Sequence, residues 1–183
     1  VTGNFNANPS AYVVNAYKAV ENNGIWNVAV DPAAKIGSTE YATLQEAFNV
    51  GGNITLLRDV TVSETATLAA GKTAVLNLNG KTLSHKDVET AYAINNHGNL
   101  TITGNGTVNS RGIYNGYDAN GNYVTAAKLT IENGTFNAKG TNGGACVYNY
   151  GTVAINGGNF ESVGGYGLNN QSGAVMTLKN ASV

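Results

Sequence analysis

Charge is scarce in this chain: only 11% of its 183 residues are Asp, Glu, Lys or Arg, and they sum to a net charge of -1. That leaves no basic stripe to follow a phosphate backbone, so nucleic acid is not an expected partner. No apolar run approaches the roughly 18 residues of a membrane-spanning helix, and no membrane insertion is expected. No signal-peptide pattern is visible either. Cys146 is the sole cysteine, which excludes an intrachain disulfide. Between Ala145 and Val147 it reads as a small packing residue rather than a nucleophile. The strong helix formers Leu, Glu, Lys and Arg are also sparse, which argues against a helical fold.

What is abundant points to strands broken by tight corners. There are 24 Gly, many Asn, and plentiful Thr, Val, Ile and Tyr. β-Branched and aromatic side chains suit a pleated surface, and Asn and Gly suit corners that need a left-handed backbone.

The strands repeat. Leu100-Thr101-Ile102, Leu129-Thr130-Ile131, Val153-Ala154-Ile155 and Met176-Thr177-Leu178 align, with an earlier copy at Leu76-Asn77-Leu78. Successive copies start 24, 29, 24 and 23 residues apart. Each is an apolar–polar–apolar triplet, then an Asn/Gly corner, then a second apolar position: Leu83, Val108, Phe136, Phe160. A third strand precedes each triplet, at Ile94-Asn95-Asn96, Ile113-Tyr114-Asn115, Val147-Tyr148-Asn149 and Leu168-Asn169-Asn170. A period near 24 with short strands fits a three-sided coil, and the fold expected is all-β: a single-stranded parallel β-helix of about five rungs. Its core is expected in the aliphatic columns and in Val108, Phe136 and Phe160.

Asn96, Asn115, Asn149 and Asn170 hold one column. In stacked coils the same corner recurs about every 4.8 Å. Identical amides there are expected to bond to one another as an Asn ladder.

The ends differ from the middle. Thr43-Leu44-Gln45-Glu46 has the form of a capping box, which predicts a short helix near 43–50 with Leu44, Ala47 and Phe48 on its apolar face. Ile54–Leu57 and Val60–Val62 then open the first coil, and the β-helix is expected over 31–183. Residues 1–30 read as a separate closing segment. Val1–Phe5 looks like the end of a preceding coil, Asn8-Pro9 like the start of a helix over Ser10–Asn15, and Tyr17–Val20 with Ile25–Val30 like a β-hairpin. Both termini are expected to be open repeat ends of something longer, able to join further copies or neighbouring modules.

These segments resemble the pectin-lyase-like parallel β-helix modules of bacterial, gut-type cell-surface and adhesin-like proteins. The likeness lies in the opening run Tyr41–Phe48, Ile54–Val62 and Leu76–Leu83, in the Gly-Gly-Asn-Phe and Gly-Thr-Phe turns, and in Asn8–Tyr12 with the hairpin after it. The resemblance implies a right-handed coil and an extracellular or cell-surface location.

Catalytic chemistry is not expected. The solenoid acids Asp59, Glu64, Asp87, Glu89, Asp118, Glu132 and Glu161 are scattered, with no two in one column of adjacent rungs, where a polysaccharide lyase or hydrolase needs them paired. Asp87 and Glu89 with His85 and Lys86 read as a solvated loop, and His97-Gly98 is isolated. No metal, cofactor or catalytic residue is assigned.

The candidate contact surface is aromatic. Tyr114 and Tyr148 fall in one outward column between Asn95 and Asn169, with small same-face neighbours at Ala93, Gly112, Cys146 and Gly167. The insertion Gly116–Tyr123 adds Tyr117 and Tyr123, with a turn at its tip from Asp118 to Gly121. Exposed rings there suit a glycan or a host protein. The function expected is a non-catalytic structural or adhesive module. Alternatives are a filament subunit joined by coil completion and a carbohydrate-binding or carbohydrate-cleaving β-helix of lyase or tailspike type.

Overall fold

Alternation of apolar and polar residues becomes three parallel sheets wound around one core. The computed structural model describes residues 3–14, 17–118, 120–140 and 143–183. The first face stacks Gly52–Leu56, Thr73–Asn77, Asn99–Thr103, Lys128–Ile131, Thr152–Ile155 and Val175–Leu178. The second stacks Val60–Val62, Thr82–His85, Thr107–Ser110, Thr135–Ala138, Gly158–Ser162 and Ala181–Ser182. The third stacks Ala66–Leu68, Ile94–Asn96, Gly112–Asn115, Ala145–Asn149 and Tyr166–Asn170. The chain visits the faces in that order through about five turns, a parallel β-solenoid.

The core is a set of columns. Leu100, Leu129 and Val153 lie in register on the first face, and so do Ile102, Ile131 and Ile155. All six are buried. Phe136 and Phe160 stack at 4.9 Å and 8° on the second face. Gly158, two residues before Phe160, has φ +111, and a Cβ there would lie 2.9 Å from the Gly134 carbonyl of the rung below. Only glycine allows that corner to close so tightly. The last rung has no neighbour on its far side in this chain, so Leu178 is half exposed and Met176 only partly buried.

The capping box forms. Thr43 accepts from the Glu46 N–H and Glu46 caps the Thr43 N–H, opening helix Leu44–Val50, whose Leu44, Ala47 and Phe48 are buried.

Several expectations need correction. The earliest repeat is two residues out of register: Leu100 lies over Ala74, and Ile102 over Leu76. The inward face runs Ala74, Leu76, Leu78, and the small Ala74 is the position that a pattern of large residues passes over. Ser10–Tyr12 forms a single 3-10 turn in place of a helix to Asn15, which lies outside the described residues. Asn8 Oδ1 accepts from the Ser10 N–H at 2.9 Å, as an N-cap does, but the turn buries none of its residues, so no packing supports a longer helix. Asn4-Phe5 does not sit in a coil; it pairs antiparallel with Trp26-Asn27. Val1 and Thr2 lie outside the described residues. The hairpin is longer on its first side, Tyr17–Asn22 against Ile25–Val30, and its turn is Asn23-Gly24 at φ +52 and +79.

The start of the solenoid is not open all round. A hairpin that the sequence reading missed, Ala34–Ile36 with Thr39–Tyr41, adds antiparallel to Gly52–Leu56. Helix Leu44–Val50 covers the third face. There Gln45 mimics a strand: its Oε1 accepts from the Thr67 N–H at 2.7 Å and its Nε2 donates to the Thr67 carbonyl at 3.0 Å. Asp31 ties the N-terminal sheet to the first rung through Lys18 at 3.2 Å and Arg58 at 3.0 Å.

Candidate functional site

The Asn ladder fixes the corner from which the candidate site projects. Asn96 Nδ2 donates to Asn115 Oδ1 at 2.7 Å, Asn115 Nδ2 to Asn149 Oδ1 at 2.8 Å, and Asn149 Nδ2 to Asn170 Oδ1 at 2.7 Å. The same amides also donate to the backbone carbonyls of Lys128, Thr152 and Val175 on the first face. Asn96, Asn115 and Asn149 therefore each link two rungs and two faces. Asn96, Asn115 and Asn149 are fully buried.

One residue before each ladder position lies the outward column of the third face. Tyr114 and Tyr148 are in register there, between Asn95 and Asn169, with ring centroids 5.4 Å apart. Their expected small neighbours on that face are partly wrong. Ala93 and Cys146 are buried in the core. A β-bulge between Gly112 and Ile113 leaves Cys146 as the extra residue of its strand, which turns its thiol inward. Burial pushes that thiol up to a pKa of about 11.

The insertion after Asn115 forms the expected hairpin. Tyr117 bridges Tyr123 in antiparallel fashion, and Val124 donates its N–H to the Gly116 carbonyl. At the tip one Asp118 oxygen accepts from the N–H groups of Asn120 and Asn122, and the other from Asn122 Nδ2. Those bonds, the Asn122 backbone N–H first, hold the Asp118 carboxyl below its ordinary pKa. Asp118 thus organises the tip. Ala119 lies outside the described residues. His97, isolated in sequence, touches the Tyr117 carbonyl with Nε2 at 2.9 Å and so holds the hairpin base.

Two further tyrosines complete the surface, and sequence reasoning missed both. Tyr92 ends the loop after His85 and stacks on Tyr114 at 3.8 Å. Tyr150 follows the ladder corner and lies 5.1 Å from Tyr117 and 5.0 Å from Tyr123. Tyr117 lies 5.1 Å from Tyr114. The result is one continuous patch of Tyr92, Tyr114, Tyr117, Tyr123, Tyr148 and Tyr150. A period-based signal could not find Tyr92, because it sits in a loop with no counterpart in the other rungs. Tyr150 could have been found, since it follows Asn149 directly.

Burial, then a hydrogen bond with Tyr114, holds the Tyr92 phenol well above its ordinary pKa, and burial raises Tyr148 and Tyr150 as well. Tyr148 donates its hydroxyl to the Gly143 carbonyl. Arg111 lies over the Tyr92 ring at 5.7 Å. Tyr123 is the most open ring, at 66% exposure. The loop holding Asp87 and Glu89 is exposed as expected, but His85 is buried, its Nδ1 accepting from the Asp87 N–H. Among the described residues no three His, Cys, Asp or Glu come together as a metal site, and no helix is long and apolar enough to cross a membrane.

Neither the protein-family models, the curated proteins nor the solved structures include a match to this chain, so the fold and the site rest on its own residues.

Proposed function

We propose that this chain is a non-catalytic structural and adhesive module of an extracellular surface protein, a rigid stalk that displays the tyrosine patch as its contact surface. The observation that carries this reading is the convergence of six tyrosines from two rungs, one loop, one corner and one inserted hairpin on one side of the solenoid. Tyr rings offer large contact area at low cost in conformational entropy, and insertions on one side of a solenoid tend to carry binding. The hairpin is held at base and tip by His97 and Asp118, so the surface is largely formed before any ligand arrives.

A second reading has its own support. Rings joined at 5.0 to 5.4 Å, with Asn95 and Asn169 beside them, suit a glycan chain that stacks its sugar faces on tyrosine and bonds its hydroxyls to amides. Filament growth by coil completion has less behind it, because a hairpin and a helix cover two of the three faces at the first rung.

A glycan array read alongside binding to purified host surface proteins tests the adhesive reading. Binding that weakens at least about tenfold in both Tyr123→Ala and Tyr150→Ala supports it. Binding unaffected by either change, or none on any surface, overturns the patch as the contact site.

A further inference from the structure

Within the tyrosine patch one pair of rings differs from the rest. Tyr123 and Tyr150 lie 5.0 Å apart and 16° from parallel. Tyr123 is exposed, whereas the other five rings of the patch are half-buried.

The backbone holds this pair together from both sides. Tyr150 follows the ladder residue Asn149 and donates its N–H to the Asn115 carbonyl at 2.8 Å. Tyr123 bridges Tyr117 across the inserted hairpin, and the Val124 N–H bonds back to the Gly116 carbonyl. Gly116 has φ +86, and a Cβ there would lie 2.7 Å from the Val124 carbonyl oxygen and 3.3 Å from the Gly151 nitrogen. The hairpin base is therefore closed tightly against the corner that carries Tyr150.

Two phenols held in contact have a definite oxidative chemistry. A phenol that loses one electron and its proton becomes a phenoxyl radical, with unpaired spin on the ring carbons next to the oxygen. Two such rings side by side couple through those carbons. Coupling needs the rings to turn edge to edge, which an exposed ring can do. Tyr92 and Tyr114 lie closer, at 3.8 Å, but a hydrogen bond joins them and Arg111 lies over Tyr92, so that pair is held as it stands. Tyr12 is more exposed than Tyr123 but has no stacked ring partner among the described residues. Cys146 is buried and Met176, the single methionine, is partly buried, so both are sheltered from an oxidant at the surface.

We propose that Tyr123 and Tyr150 are a site of oxidative cross-linking, joined by a carbon–carbon bond between the ring positions next to their hydroxyls when the protein meets hydrogen peroxide and a haem peroxidase. Each phenol gives up one electron and one proton. The two radicals pair their electrons in the new bond, and the hydrogens on the two bonded carbons move to the oxygens, which restores both phenols. The electrons and protons released reduce one peroxide to two waters. A radical formed deeper in the patch reaches the pair from Tyr114 through Tyr117, since Tyr117 lies 5.1 Å from both Tyr114 and Tyr150. The product staples the inserted hairpin to the ladder corner. It depends on the geometry of the patch and not on the patch being a contact surface, so either reading can fail alone.

The full chain, kept dilute, is treated with peroxide and a haem peroxidase, digested and read by mass spectrometry. The expected product is a single chain short of two hydrogens, with the peptide holding Tyr123 joined to the peptide holding Tyr150. Tyr150→Phe and Tyr123→Phe should each remove that product, and Tyr12→Phe should keep it. A light-driven one-electron oxidant, which needs no folded enzyme, should give at least about tenfold less of the link from chain unfolded in urea than from the folded protein. Links formed only between chains, a Tyr117–Tyr123 product in place of the expected one, an equal yield from the unfolded chain, or no link at all would each overturn the proposal.

Discussion

The side-chain amide of Asn115 donates to the side-chain oxygen of Asn149, 2.8 Å away across one rung, with both residues fully buried. Asn115 also accepts from Asn96 and reaches the Thr152 carbonyl at 3.2 Å. Asn115→Ala removes all three bonds and leaves buried groups unsatisfied. We expect a loss of about 2–4 kcal/mol, read from chemical denaturation. Asn170→Ala, at the exposed end of the ladder, should cost under about 1 kcal/mol. Equal losses at the two sites would refute the cooperative ladder.

Gln45 closes the third-face edge with two hydrogen bonds to the Thr67 backbone. Gln45→Ala should destabilise by about 1–2 kcal/mol and speed exchange of the Thr67 amide. Gln45→Glu keeps the acceptor for the Thr67 N–H but loses the donor, and should retain the protection of that amide in part. Amide exchange followed residue by residue checks both.

Cys146 is buried, with its thiol pKa pushed up to about 11 by that burial. The folded protein at pH 8 should react with a thiol reagent only through opening, and the denatured chain at once. The pH effect has a definite sign. The folded pKa is raised, so the contribution to stability is fully present below the unfolded thiol value of about 8.5. It is lost as pH rises toward about 11. A melting temperature that holds between pH 7 and 8 and falls in alkali checks this, provided that Cys146→Ala flattens the fall.

The Asp118 carboxylate is held below its ordinary pKa by the N–H groups around it. Its contribution is therefore present above the unfolded value of about 3.9, and is lost only as pH falls through the lower folded value. The Asn122 amide should stay protected at pH 5 and open in stronger acid. Asp118→Ala should open it at neutral pH with little change in global stability, since the tip is exposed. Amide exchange at the two pH values decides the matter.

The middle of the chain was readable because one physical pattern repeats there. Inward residues must be apolar on every rung, and the ladder corner must be Asn on four successive rungs, so columns such as Ile102, Ile131 and Ile155 stand out without coordinates. Legibility failed where a residue answers to a neighbour that is remote in sequence and has no counterpart in the next rung. The hairpin Ala34–Ile36 with Thr39–Tyr41 has no periodic signal of its own and exists because the edge of Gly52–Leu56 needs a partner. Cys146 alternates like an outward residue, yet a bulge turns it in. Tyr92 belongs to the tyrosine surface only because its loop folds back over Tyr114.

The sequence by itself determined the solenoid, its three faces, the Asn ladder and the capping helix, because period, alternation and caps are local signals that the backbone obeys wherever they occur. Only the tertiary structure decided which tyrosines share a surface and what covers the sheet edges at the first rung. Both depend on how a loop, an insertion and a cap fall against strands far away in sequence, and Tyr150 resting on Tyr123 and Gln45 bonded to Thr67 are the results.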